Sequence, residues 1–131
     1  MCGAENKSGI SFKARLGQST WFYLHAMADH YPLAPDAETV ERLKSHISGF
    51  AAFYPCAQCR EHMTQYLIDK PVMADSRLQL VRWMFRFHNS VNTRLGKEVM
   101  QSDEYVTRYT KMGIEDVDPK TGVCQHCTTA I

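Results

Sequence analysis

The sequence has almost no net charge: 15 Lys and Arg stand against 14 Asp and Glu, leaving +1 at neutral pH. A surface without a basic excess does not suit nucleic acid or an anionic membrane as the main partner. Apolar runs are short, and none approaches the ~18 residues that a membrane-spanning helix needs, so no membrane insertion is expected. Residues Met1–Lys7 are polar and lack the apolar stretch of a secretory signal. Seven glycines and five prolines among 131 residues are too few for a linker or a collagen-like chain. Five cysteines fall well short of the roughly 8–10% that marks a disulfide scaffold. No segment alternates apolar and polar residues long enough to argue for a strand. With 44% hydrophobic and 22% charged residues, one globular all-α domain remains.

Helical spacing organises what is there. Leu16, Thr20, Tyr23, Met27 and Tyr31 recur along a first helix that Pro32 ends. Asp36 is a good N-cap for a second, whose stripe is Val40, Leu43, Ile47, Phe50 and Tyr54. Pro55 closes that helix, because the residue before a proline is pushed out of the α region, and it suits the first turn of the next. The third helix is therefore expected from Pro55, carrying Cys56, Cys59, Met63, Tyr66 and Leu67 up to Pro71. Asp75 or Ser76 caps a fourth, with Leu78, Val81, Phe85, His88, Asn92 and Leu95 on one face and Gly96 just past its end. Ser102 caps a short fifth helix with Tyr105 and Tyr109 one turn apart, ending before Gly113. Residues 114–131 are polar and rich in turn formers.

Four of the five cysteines form two pairs of identical spacing, Cys56-Ala57-Gln58-Cys59 and Cys124-Gln125-His126-Cys127. Such pairs are read as zinc ligands or as redox dithiols. Cys56 and Cys59, three apart at a helix start, share one face within reach of a disulfide. The helix dipole there favours the thiolate, the nucleophile of disulfide exchange. Cys56, nearer the tip, is expected to be the accessible sulfur and Cys59 to face the core. A zinc site would join both pairs. Residues 60–123 lie between them, against roughly 15–20 residues in compact four-cysteine sites.

Polar groups on the fourth helix point to a ligand. His88, Asn89 and Asn92 sit among Val81, Phe85, Phe87, Val91 and Leu95. Burying each without a partner costs roughly 1–3 kcal/mol. One such histidine is compatible with a satisfied core residue; three polar side chains in five positions suggest a polar ligand against this face. Trp21 and His25 form a second pair, four apart, on the first helix. Together these residues outline an aromatic slot with polar edges near a dithiol, which suits a flat, hydrogen-bonding cofactor.

The string Phe53-Tyr54-Pro55-Cys56-Ala57-Gln58-Cys59, then His88-Asn89-Ser90-Val91-Asn92-Thr93-Arg94-Leu95-Gly96-Lys97, resembles the FAD-dependent sulfhydryl oxidases of the Erv/ALR family. Gly17-Gln18-Ser19-Thr20-Trp21-Phe22-Tyr23-Leu24-His25 matches the family's first helix, and the three motifs occur in the family's order. The resemblance covers roughly residues 14–113, leaving tails at 1–13 and 114–131. It implies a four-helix bundle with a short fifth helix, binding FAD at one end and pairing as a homodimer. By motif, Cys59 is the flavin-proximal thiol and Cys56 the sulfur attacked by an incoming protein dithiol. Gly17, Gln18, Trp21, His25, Tyr54, Cys59, His88, Asn89, Val91, Asn92, Leu95 and Lys97 match cofactor-binding positions, and Tyr109 falls where relatives carry a Trp near the adenine. No metal is implied. Electrons leave the flavin for oxygen, giving hydrogen peroxide, or for cytochrome c.

The sequence departs from the family at several places. Gln18 replaces a usual Arg, removing an ionic contact to the cofactor phosphates. Ile68 and Phe85 stand where animal and fungal members carry a structural disulfide, so packing is expected to replace it. The second pair, Cys124 and Cys127, lies on the C-terminal tail, as in some plant and protist relatives, and is expected to shuttle electrons from substrate to Cys56 and Cys59. A structural disulfide or a zinc-stabilised helical adaptor using both pairs is the competing reading. Family analogy points to the mitochondrial intermembrane space, although viral and secretory relatives exist. Cys2 has no assigned partner.

Overall fold

The computed structural model describes residues 9–101. Four helices follow in order: α1 (Phe12–Asp29), α2 (Ala37–Phe53), α3 (Ala57–Asp69) and α4 (Arg77–Arg94). The all-α expectation holds over this span. The expected fifth helix, with Tyr109, and the tail bearing Cys124 and Cys127 lie outside the described residues.

Three helices start on side-chain caps. Ser11 Oγ accepts from Ala14 N at 3.1 Å, Asp36 Oδ1 from Thr39 N at 2.8 Å and Ser76 Oγ from Gln79 N at 3.2 Å. Of the two candidate caps of α4, Ser76 is the one used. Gly96, at φ +69°, ends α4 in a left-handed turn that a side chain would strain. Gly96 N donates to Thr93 O and Lys97 N to Asn92 O, the paired bonds of a Schellman stop. The start of α3 differs from expectation. Cys56 precedes the helix with extended backbone, φ −161° and ψ 111°, and its N–H bonds the Tyr54 carbonyl at 2.8 Å instead of opening a helical turn.

Each helix gives one face to a common core. α1 packs chiefly on α4, and α2 on α3. Leu24 and Ala28 of α1 meet Leu80, Trp83, Met84 and Phe87 of α4. Val40, Leu43 and Ile47 of the expected α2 stripe close over Met63 of α3 together with Ala51, which the stripe omits, while Phe50 and Tyr54 are partly buried against them. Two expected stripes are rotated. Tyr23 is half exposed on α1, and Leu78 and Leu95 are exposed at the ends of α4. The buried face of α1 instead uses His25 and the small Ala28, which hydropathy alone does not rank as core. Ile68 is 67% exposed and outside the core, so it does not take the place of a structural bond with the half-buried Phe85.

Side chains also fasten the loops to α4. Tyr31 Oη donates to Ala74 O at 2.8 Å, Trp83 Nε1 to Lys70 O at 3.0 Å, and Arg77 Nε to Tyr31 O. Asn89 bonds the Met100 backbone twice, at 3.1 and 2.8 Å, holding the segment after α4 against the helix.

Two buried groups titrate abnormally. Burial raises the Asp29 carboxyl from 3.8 to about 7, against the pull of His30 and Arg77. Burial lowers His25 from 6.5 to about 3, helped by repulsion from His88. Asp29 binds its proton more tightly when folded, so its share of stability declines as pH rises from about 4 to about 7. His25 resists protonation when folded, so its share is lost as pH falls from 6.5 towards about 3. The two slopes oppose each other between about pH 4 and 6.5. Asp29→Asn should therefore steepen the loss of stability on acidification across that window, read from urea midpoints at several pH values. Leu80→Ala, at a site with no solvent exposure, should lower the unfolding free energy by about 3 kcal/mol.

Candidate functional site

Between α1, the start of α3 and the end of α4 lies a cavity of about 870 Å³. That is within the roughly 300–1,000 Å³ of sites for cofactor-sized molecules. Its wall is built where the helix ends converge. Gly17, Gln18 and Trp21 come from α1, with Thr20 beside them. Tyr54, Cys56 and Cys59 form the side at the α2–α3 junction, and His88, Val91 and Asn92 the side on α4. Leu95, Lys97 and Met100 close the rim.

An aromatic stack makes one wall. Trp21 lies flat on His88, with ring centroids 3.8 Å apart and planes 8° from parallel. Behind it, His25 Nε2 and His88 Nδ1 share a hydrogen bond of 2.8 Å. The histidine that the sequence places at the ligand therefore stands behind the one at the wall: His25 is fully buried and does not line the cavity. Held neutral by burial, it fixes the His88 ring through one nitrogen. Asn89 is likewise off the wall, its amide spent on Met100. Asn92 is 8% exposed and faces the cavity, and its side-chain amide has no protein partner among the described residues. The amide is open to the cavity and free to bond a guest, so this wall fits a ligand with polar edges.

The dithiol forms the opposite side. Cys56 and Cys59 are thiols in hydrogen-bond contact, and both line the cavity. Two expectations are corrected here. Cys56 is the buried sulfur, at 5% exposure, and Cys59 the more accessible one, because Cys56 lies before the helix and not in its first turn. The Cys59 thiol is also raised, not lowered: burial and the neighbouring Cys56 thiol disfavour the anion, and Arg94 opposes them. The junction that carries the pair is braced. The Tyr54 carbonyl accepts from Cys56 N and from Arg60 Nη1 at 2.7 Å, and the Tyr54 hydroxyl meets Thr20 Oγ1 of α1 at 3.3 Å.

Sequence reasoning missed Lys13, His62 and Arg94 on this wall. His62 was findable, since it follows Cys59 by three residues on the same helix. Arg94 has no local signal: its Nη2 reaches Cys59 Sγ at 3.5 Å across 35 residues of sequence. Among the described residues, no three His, Cys, Asp or Glu side chains converge on a metal position. The four-cysteine zinc reading needs Cys124 and Cys127, which lie outside them. No helix among the described residues is long and apolar enough to cross a membrane.

Comparison with known proteins agrees with this geometry. The Erv1 / Alr family profile matches residues 18–110. FAD-linked sulfhydryl oxidase ERV1 of Arabidopsis thaliana is 31% identical over 111 residues, covering 85% of this chain and 58% of the relative. Mitochondrial FAD-linked sulfhydryl oxidase erv1 of Schizosaccharomyces pombe is 40% identical over 86 residues, covering 64% and 47%. The chain thus spans about half the length of these curated relatives. The crystal structure of the FAD binding domain of Erv1 from Saccharomyces cerevisiae superposes with a TM-score of 0.70 at 31% identity, over 73% of this chain and 91% of that one. On the profile match across most of its length, and on a shared fold, this chain belongs to the Erv1 / Alr family.

Proposed function

We propose that the chain is an FAD-dependent thiol oxidase that makes disulfides in protein dithiols. The observation that carries this reading is the position of Cys56 and Cys59 on the wall of a cavity whose other wall is the Trp21–His88 stack. Relatives in plants and fungi are named FAD-linked sulfhydryl oxidases, and the similar yeast structure is the FAD binding domain of Erv1. The residues fit that cofactor. Trp21 and His88 offer flat faces, the Asn92 amide offers a polar contact, and Lys13 and Lys97 bring positive charge for a diphosphate. Gln18 contributes a neutral contact there. FAD, when bound, supplies a two-electron acceptor.

The chain's own part is thiol–disulfide exchange. With Cys56 and Cys59 oxidised, a substrate thiolate attacks the Cys56 sulfur, and Cys59 leaves as thiolate. The second substrate thiolate then attacks the substrate sulfur of the mixed disulfide and releases Cys56. The substrate gains a disulfide, the enzyme pair holds the two electrons, and the substrate's two protons pass to solvent and the enzyme thiols. Motif matching gives Cys56 this exchange role, although the structure describes it as the more buried of the two cysteines. Cys124 and Cys127 are proposed to relay electrons from protein substrates to this pair, with oxygen or cytochrome c as final acceptor. A homodimer in the mitochondrial intermembrane space is the setting that the family suggests, in line with the mitochondrial names of two yeast relatives.

Two experiments separate these roles. Cys59→Ser should abolish oxygen uptake with dithiothreitol while the protein still folds, as judged by helical circular dichroism. Replacing Cys124 and Cys127 together with Ser should spare dithiothreitol oxidation and abolish oxidation of a reduced protein substrate. Equal loss of both activities would exclude the relay.

A further inference from the structure

We infer that Arg94 is a catalytic residue of this site, a cation at the exposed rim of the cavity that receives the negative charge of the Cys59 sulfur when the Cys56–Cys59 disulfide opens. The inference deepens the oxidase reading and rests on it for the reaction, but the contact itself stands apart from that reading. Arg94 occupies the last turn of α4, and its Nη2 lies 3.5 Å from Cys59 Sγ on α3. An arginine at a helix C-terminus has an ordinary use, since its charge complements the dipole there. This one does more than that. Among the described residues Cys59 Sγ is its one side-chain hydrogen-bond partner, and no carboxylate lies in ion-pair range of it. No carboxylate among the described residues competes with the sulfur for the guanidinium. Both side chains line the same cavity.

The chemistry requires such a charge. When a substrate thiolate forms its bond to the Cys56 sulfur, the Cys56–Cys59 bond breaks and its electron pair departs on Cys59, so the leaving group's stability sets the rate. Two neighbouring influences work against that anion. Burial and the Cys56 thiol both raise the Cys59 pKa, and Arg94 opposes them. The same positive charge depresses the neighbouring His62, whose main perturbation is burial. His62 Nε2 meets Ser90 Oγ at 3.2 Å, so His62 is committed to α4 and leaves the sulfur to Arg94. Cys59 sits within the first turn of α3, which opens at Cys56 without a side-chain cap, so the helix dipole favours the same anion and Arg94 adds a full charge to that partial one.

The test measures Cys59 directly. In full-length protein carrying Cys56→Ser, alkylation of Cys59 by iodoacetamide is followed against pH, with the labelled peptide identified by mass. Arg94→Gln should move the alkylation profile to higher pH, and labelling near neutrality should fall by about tenfold for every whole pH step that the profile moves. Arg94→Lys should recover most of the labelling, because it restores the charge without the planar fork. Arg82→Gln, an exposed position on the same helix away from the cavity, serves as the control and should leave the profile in place. An unchanged profile in Arg94→Gln would overturn the inference. So would a variant that loses only FAD affinity, with Cys59 labelling intact, since that result would make Arg94 a cofactor contact. The readout needs no turnover, so failure of the oxidase reading would appear separately, as protein that binds no FAD yet shows an Arg94-dependent thiol.

Discussion

The packing of Trp21 on His88 is the contact on which the rest of this structure depends. It joins α1 to α4 at the end of the bundle where the cavity opens. Its geometry is held from behind by the buried His25, whose bond to His88 fixes the ring. Phe87 meets the edge of Trp21 at 5.5 Å and ties the stack into the core. The wall of the cavity is thus continuous with the hydrophobic core of the bundle. Rigid aromatic walls of this kind are prepared before a ligand arrives, which limits the ordering cost of binding.

The dithiol is placed with equal economy. Pro55 separates α2 from α3, and the Tyr54 carbonyl holds both Cys56 N–H and Arg60 across the break. Thr20 on α1 reaches the Tyr54 hydroxyl, so the junction is tied to the same helix that carries Trp21. One short run, Tyr54 to Cys59, is therefore positioned against the aromatic stack by hydrogen bonds from two sides. The proposed function needs both walls at once, because a thiol pair without a two-electron acceptor beside it only equilibrates with other thiols.

Much of this was legible in the sequence. The caps at Asp36 and Ser76, the Gly96 stop and the Val40, Leu43 and Ile47 stripe of α2 follow from local rules that the structure obeys. The residues on the cavity wall, from Gly17 and Trp21 to Asn92 and Lys97, were recognised through motifs. What was not legible depends on tertiary placement. Hydropathy could not show that His25 belongs to the buried face of α1, nor that Ile68 stays outside the core. The burial of Cys56 over Cys59 turns on one extended residue before α3. Arg94 is found only when α4 is laid beside α3.

The central claim is that this cavity holds FAD in electronic contact with the Cys56–Cys59 pair. Anaerobic titration of the purified chain with dithiothreitol, followed by visible absorbance, tests it most directly. The account predicts a yellow protein whose flavin band bleaches on addition of the dithiol and returns when oxygen is admitted. A colourless protein that takes up no FAD, or a flavin band that the dithiol leaves unchanged, would contradict it.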